Sequence, residues 1–582
     1  MLRIEAHLPD AHANLAEGLG IELTALGDFE GSVSTSKIAP GDSRGLPLPF
    51  PGATRAVSAL GESGAEDLLG LGSAAEDGNI DVLLWRAKDA TRLSGEGFAP
   101  EPAGLSLGLD ARRRHLLAAG SSVDTADAGR AFTVDLGTGR TREVEGGMLP
   151  ARAFASVTSF GEDSMLVAGG VDPTLGSAGP LASASVFHVG EAHFDRANVV
   201  TLAQPRSRHG AVVLVSGETL LIGGEGPSGA PLATLEAVSP ADRSARIAGL
   251  ATLSQPRAKP VVLRLDDDSV FVGGGSAGGA PVGVLEWLTP DASKATRIRE
   301  NLVLAESHGF AAMPGGGVLG VGVCVPEGAG SCTGDLPKKS VVWFREDGSA
   351  DVLPALPFAP SRVALIAAGQ GAPWLFAVGP SGPVYRRFDP WTGVFDEPES
   401  FPKLGPDADL AAPLGVDAGA FVWLERDAGA ALSGFRHDVR GTYSRDVAPL
   451  LLSGREHVAP SRLPSGVSKS GIEYSASGLG LRGDGALAVV ADTSYAAVDL
   501  ALTLTSGPPP LVMLGAVACA WPSLDDAVPG ETVDVRRRGA EVTLERGGTR
   551  QSCAVGEGRL GVALAAQGSR TSFVRALEIR RR

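Results

Sequence analysis

Three short stretches set a basic residue just after a proline: Leu149-Pro150-Ala151-Arg152, Gln204-Pro205-Arg206-Ser207-Arg208-His209 and Gln255-Pro256-Arg257. Comparable polar openings occur at Ser307-His308 and Ser361-Arg362. A guanidinium offers forked donors that fit a carboxylate, and an imidazole titrates near neutral pH. Arg152, Arg208, His209, Arg257, His308 and Arg362 are therefore the candidate binding residues, suited to carboxylates or sugar acids. The competing reading is that each satisfies buried backbone carbonyls between blades.

The chain has four cysteines, which fall as two local pairs, Cys324 with Cys332 and Cys519 with Cys553. Neither pair has Cys-x-x-Cys spacing or neighbouring histidines, so zinc is a poor reading and two disulfides are expected. A bridge across the short Cys324 to Cys332 loop would add ~2 to 3 kcal/mol if unstrained. It would persist only in an oxidising compartment. The expected location is extracytoplasmic: secreted, periplasmic or outer surface. Met1 to Pro9 lacks the apolar run of a secretory signal, so on this reading the leader is absent from this chain. Four ordinary thiols in a cytosolic protein are the alternative.

Other chemistry-bearing patterns read as structure. Asp266-Asp267-Asp268 lacks the alternation and glycine of a calcium loop and sits where a neighbouring unit has the turn Ser216-Gly217-Glu218. Gly273-Gly274-Gly275 and Gly315-Gly316-Gly317 are not followed by Lys-Ser or Lys-Thr or by a helix, so they are not phosphate cradles. Asp396-Glu397-Pro398-Glu399 reads as a solvated loop. No cofactor and no metal is expected.

The elements that must position these residues are strands. The 582 residues include Gly 79 and Pro 40 with only 5 Met, a profile of tight turns between short strands, and an all-β chain is predicted. A net charge of −16 argues against a phosphate-tracking surface and hence against a general nucleic-acid binder. The clusters Arg112 to Arg114, Arg536 to Arg538 and Arg580 to Arg582 read as solvated strand ends. No segment has the roughly 18 to 20 consecutive apolar residues of a transmembrane helix.

Internal repeats are present. Apolar strands ending in diglycine recur at Met165-Leu166-Val167-Ala168-Gly169-Gly170, Leu220-Leu221-Ile222-Gly223-Gly224 and Val270-Phe271-Val272-Gly273-Gly274, with a period of roughly 50 residues. Each follows one of the proline-containing openings and precedes a third strand, Leu235-Glu236-Ala237-Val238 in one unit and Leu285-Glu286-Trp287-Leu288 in the next. On these residues the chain resembles the kelch-repeat propeller family. Weaker units at Leu105 to Asp135, Ser307 to Phe344, Ser361 to Pro390 and Ala420 to His437 extend the array to seven blades, with six as the alternative.

The expected architecture is a small N-terminal β-sandwich over residues 1–86, a kelch-type β-propeller over 87–445 and a C-terminal β-sandwich over 446–582. That last stretch resembles jelly-roll sandwiches of the laminin-G or concanavalin-like type, by strand pattern only. A rival reading lends Ile80 to Trp85 to the propeller as a closing strand.

The kelch resemblance implies several functions, among them galactose-oxidase-like enzymes, a sugar mutarotase and binding proteins. A copper-radical site would need a Tyr crosslinked to Cys, whereas these cysteines are better paired with each other. The C-terminal stretch lacks the paired acids of a concanavalin-like glycosidase. Two expectations remain. One is a binding or scaffold protein that recognises carbohydrate or a protein partner on the cell surface through propeller loops and the terminal sandwich. The other is a sugar-modifying enzyme, of mutarotase or epimerase type, that uses the Arg and His positions as a ring at the channel.

Overall fold

The computed structural model describes residues 3–15, 19–27, 34–35, 54–63, 66–73, 79–86, 89–94, 98, 104–120, 129–175, 179–265, 267–313, 317–326, 332–345 and 347–367. Further along it describes 373–389, 394–395, 397–401, 410–417, 419–426, 430–436, 455–458, 472–475, 478–481, 487–495, 497–514, 517–555, 560–565 and 571–581. Asp266, Gly315, Gly316, Asp396 and the boundary expected at 445/446 lie outside the described residues.

Short antiparallel sheets follow one another along the middle of the chain. The first contains Ser106–Leu109, His115–Ala119, Ala131–Asp135 and Arg140–Glu143, in sequence order. The second is built on Ser156–Ser159, Ser164–Ala168, Ser183–His188 and His193–Phe194, and the third on Gly210–Val213, Thr219–Ile222, Leu235–Val238 and Ala245–Arg246. Val261–Arg264, Val270–Gly273, Leu285–Leu288 and Ala295–Arg299 form the fourth. The fifth, sixth and seventh open with Val303–Ala312, Arg362–Ile366 and Leu410–Asp417. The first strand of each sheet lies beside the first strand of the next, and Leu410–Asp417 returns to lie beside Ser106–Leu109. The fold is a β-propeller.

Strand alternation explains why these sheets cannot stand alone. Met165 and Val167 point to one side of the second sheet and join Leu117 and Ala119 of the first. Leu166 and Ala168 point to the other side and join Leu221 and Val238 of the third. The same two-sided burial repeats around the ring. Because successive side chains face opposite ways, each sheet buries both faces only by stacking on two neighbours.

The seventh sheet has three strands of its own. Asp89–Arg92 runs beside its last strand, Ala430–Arg436, and the Leu93 and Ser94 amides donate to the Leu432 carbonyl at 2.8 and 3.2 Å. This segment is the strand laid along the seventh sheet, although Leu83 also touches the ring, its carbonyl accepting from Arg436 Nη2 at 3.2 Å. Asn79–Leu83 is instead paired in parallel with Arg3–His7. Ile4, Ile21, Val57, Leu68, Ile80 and Val82 form a separate N-terminal core, while Leu83 and Trp85 reach into the cluster between the first and seventh sheets.

After the ring, Ile472–Ser475, Gly478–Leu481, Ser572–Arg581, Ala497–Ser506, Glu531–Arg538, Glu541–Arg546 and Thr549–Ala554 lie side by side in that order. A second sheet has the order Leu487–Tyr495, Leu560–Ala565, Leu511–Leu514, Val517–Cys519. Both expected disulfides are present: Cys324 to Cys332 in the fifth sheet and its following loop, and Cys519 to Cys553. The second bridge joins an edge strand of the smaller C-terminal sheet to an edge strand of the larger. Among the described residues, no helix is long and apolar enough to cross a membrane.

Candidate functional site

The basic openings and the diglycines meet at one end of the sheets. Arg152, Arg206 and Arg257 each stand four residues before a first strand, and all are fully buried. Arg152 Nη1 donates to the Gly169 carbonyl at 2.9 Å and the Ser183 carbonyl at 2.7 Å. Arg206 Nη1 reaches the Gly223 and Thr234 carbonyls at 2.9 and 3.2 Å. Arg257 Nη1 reaches the Gly274 and Val284 carbonyls at 3.3 and 2.8 Å. One guanidinium therefore ties the end of the second strand to the start of the third within its own sheet, not between blades, adding a charged donor to buried carbonyls, of which Ser183 and Thr234 also accept from the Gly169 and Gly223 amides.

Those contacts correct the repeat register. The equivalent first glycines are Gly169, Gly223 and Gly274, with φ of 61, 63 and 61°, and the second are Gly170, Gly224 and Gly275. In the fourth sheet the sequence alignment on Gly273-Gly274 is one residue early, because a run of three glycines hides the register. Gly273 ends the strand. The glycines are required by close approach as well as by φ: a Cβ on Gly169 would collide with the Arg206 carbonyl oxygen, and one on Gly224 would stand 2.6 Å from the Ser207 oxygen.

The remaining nitrogen finds different partners in different sheets. Arg206 Nη2 meets Glu236 Oε2 at 3.0 Å and Arg257 Nη2 meets Glu286 Oε1 at 2.8 Å, both pairs buried. The other oxygen of each glutamate accepts a backbone N–H, from Ala203 and from Ser254. Arg152 Nη2 instead donates to the Ser183 and Ser185 hydroxyls at 3.0 and 3.2 Å. Burial lowers the pKa of all three guanidiniums, opposed at Arg206 and Arg257 by the paired glutamate. For Arg152, where only the charge of Asp172 opposes burial, it falls to about 10.

Two residues on, the backbone turns outward. Phe154, Arg208 and Lys259 have φ of 58, 51 and 51°. The Phe154 amide donates to the Gly104 carbonyl, the Arg208 amide to Phe154 and the Lys259 amide to Arg208, at 2.9, 3.0 and 2.6 Å. This ladder stitches the first four sheets together. Arg208 is half-buried, pairs with Glu225 at 2.6 Å, and lies 4.1 Å above the centre of the Phe154 ring. Lys259 is exposed.

His209, by contrast, is buried against the second sheet. Its Nε2 is 2.8 Å from Ser156 Oγ, and its Nδ1 is buried with no partner. Burial, aided by the nearby Arg206 charge, lowers its pKa to about 3. His308 takes a related place in the fifth sheet, its Nε2 against Gly274 and its Nδ1 donating to the Ala305 carbonyl at 2.9 Å. Burial lowers its pKa too, opposed by that hydrogen bond. Arg362 is exposed and is the first residue of its strand, a different repeat position from Arg152 and Arg257.

The structure thus brings Arg208 and His209 to one neighbourhood with Phe154, Ser156 and Glu225. It turns Arg152 and Arg257 inward and leaves Arg362 apart. Arg206, Glu236 and Glu286 are the functional framework that reading from the sequence missed. The available signal was the constant separation of 17 residues between arginine and accepting glycine.

The acidic turn behaves as a hairpin: Asp267 accepts from the Ser269 amide and hydroxyl at 3.1 and 2.6 Å, and Asp268 pairs with Arg264. Among the described residues, Glu5, His7 and Asp81 are the three whose spacing would suit a cation. The Arg114 guanidinium, 3.7 Å from Asp81, already supplies positive charge there, and His7 Nε2 lies 2.6 Å from the same carboxylate.

No family model and no curated protein matches the chain. Among solved structures it is similar to that of YjhT, with 10% identity and a TM-score of 0.36 over 51% of this chain and 99% of that one. It is also similar to a streptogramin B lyase structure, with 12% identity and a TM-score of 0.39 over 59% of this chain and 96% of that one.

Proposed function

We propose that this chain is an extracytoplasmic, non-catalytic binding or scaffold protein. On this reading it is a seven-bladed propeller of kelch type with a sandwich domain on either side. It recognises a carbohydrate or protein partner through its propeller loops and its C-terminal sandwich.

The observation that carries this reading is the internal use of the basic openings. Arg152 and Arg257 are occupied by buried carbonyls, so they are not available to clamp a substrate anion. His209 is buried, and burial lowers its pKa to about 3, which supports a structural role over one as acid or base. What the same end presents is Phe154, Arg208, Glu225 and Lys259, a mixture of ring, cation and carboxylate suited to recognition. The return of Leu410–Asp417 to Ser106–Leu109 supports seven blades. The two disulfides support an oxidising location.

The test is a glycan and sugar-acid binding screen on the whole chain, followed by NMR of anomeric exchange for any saccharide bound. Binding without faster exchange is expected. Exchange that is accelerated by the chain and abolished in His209→Ala or His308→Ala would overturn the reading in favour of a mutarotase or epimerase.

A further inference from the structure

A cleft of about 830 Å³ lies at the opposite ends of the strands, away from the diglycines. It is assembled from segments distant in sequence: the N-terminal turn at Asp10, the closing segment at Arg92 and Ser94, the outer strands of the first sheet, and the hairpin at Val189 to Ala192 of the second. Its walls are held in place by backbone bonds, the Asp10 amide to the Thr138 carbonyl at 2.7 Å and the Ser94 amide to the Leu432 carbonyl at 3.2 Å. The volume lies in the range of small-ligand sites, roughly 300 to 1,000 Å³.

The charges in this cleft do not cancel. Asp10 is paired with Arg140 Nε at 2.6 Å, and Asp135 is held by Arg114 through two bonds of 2.7 and 2.8 Å. His115 Nδ1 faces Asp110 at 3.0 Å. Arg92 and Arg142 are left over: both line the cleft, both are exposed, and among the described residues neither side chain makes a hydrogen bond or ion pair. Arg142 stands directly across the ladder from Thr133, as Arg140 does from Asp135. A single exposed arginine is ordinary. Two unpaired ones in one concave site on a chain of net charge −16 leave a local anion preference that the rest of the surface opposes. Long polyanions are repelled by that surface, so a short ligand fits better.

We propose that this cleft binds a short acidic oligosaccharide, with Arg92 and Arg142 holding its carboxylates. The Thr133 hydroxyl, across the ladder from Arg142, offers a further partner for a sugar hydroxyl. The choice of a saccharide rests on the recognition function proposed above, whereas the anion preference rests on the cleft alone.

The test is calorimetric titration of the whole chain with trigalacturonate and, separately, with neutral maltotriose. Trigalacturonate should bind at least about tenfold more tightly, and the R92A/R142A double variant should lose about tenfold or more of that affinity. An R264A/R297A variant, altered at exposed positions of the fourth sheet, should bind it unchanged, and an R208A/K259A variant reports on the diglycine end. All six side chains are at least partly exposed, and unchanged melting temperatures will show that the variants fold. Equal binding of maltotriose, or full binding by R92A/R142A, would overturn the proposal. Displacement by inorganic phosphate at equal molar potency would overturn the saccharide assignment. Loss of binding only in R208A/K259A would place the ligand at the diglycine end, sinking this inference while leaving the recognition function standing. If trigalacturonate fails to bind while the screen finds other glycans or a protein partner, the inference alone falls. If the screen finds neither, the recognition function falls with it.

Discussion

The second and third sheets carry the same arginine in two different surroundings. Arg152 and Arg206 make the same backbone bonds, to the first glycine of the pair and to the carbonyl that opens the third strand. Beyond those bonds Arg206 has a buried glutamate and Arg152 has two serines. The carbonyl clamp is the shared part, so it is what the repeat preserves within this chain. The carboxylate is an addition. It neutralises a buried cation and reaches a further backbone amide, at Ala203. Arg152 does without it and has its pKa drawn down to about 10.

The largest effect should come from breaking the addition while leaving the clamp. Glu236→Ala strands the buried Arg206 charge and the Ala203 amide, and should cost about 3 to 5 kcal/mol. Ser185→Ala in the second sheet removes one neutral partner and should cost about 1 kcal/mol. Urea unfolding followed by tryptophan fluorescence compares the two. Equal losses would mean that the carboxylate contributes nothing beyond a hydroxyl.

Acid sharpens the same comparison. Where the third sheet has His209 beside Gly224, the second has Ala155 beside Gly170. His209 titrates near 6.5 when unfolded and at about 3 when folded. Its contribution is therefore complete above pH 6.5 and is lost as the pH falls towards 3. At pH 4.5 the loss should be about 3 kcal/mol. His209→Asn should flatten the stability profile between pH 6.5 and 5.5, above most of the range in which carboxylates titrate. If the variant keeps the wild-type slope, His209 is not buried in its neutral form.

The smallest effect on stability should be at Arg208. It is half-buried, and its pair with Glu225 is partly screened by solvent, so Arg208→Ala should cost about 1 kcal/mol or less. Thermal melts of this variant beside Arg206→Ala separate the two arginines. A loss at Arg208 as large as that at Arg206 would contradict the assignment of inward and outward roles.

Much of the fold is legible from the residues. Patterns such as Met165-Leu166-Val167-Ala168, bounded by turns and glycines, announce strands buried on both faces. The cysteine pairs stand close enough in the chain to suggest their partners. The candidate site is harder to read, for a local reason. Arg206-Ser207-Arg208 offers two arginines, and which one enters the sheet depends on the left-handed backbone at Arg208, φ 51°, with no glycine there to signal it. The closing segment at Asp89–Arg92 is short and polar, so its partner strand can be found only in three dimensions. The same holds for the cleft, whose walls at Asp10, Arg92, Arg142 and Val189 share no motif.

The proposal at the centre is that the basic openings serve to build the propeller rather than to catalyse. Its most direct test is two-dimensional exchange NMR of galacturonate anomers with the whole chain, beside the folded His209→Asn variant. The account predicts an interconversion rate equal to that in buffer for both proteins. A rate raised by the wild-type chain and returned to the buffer value in the variant would contradict it.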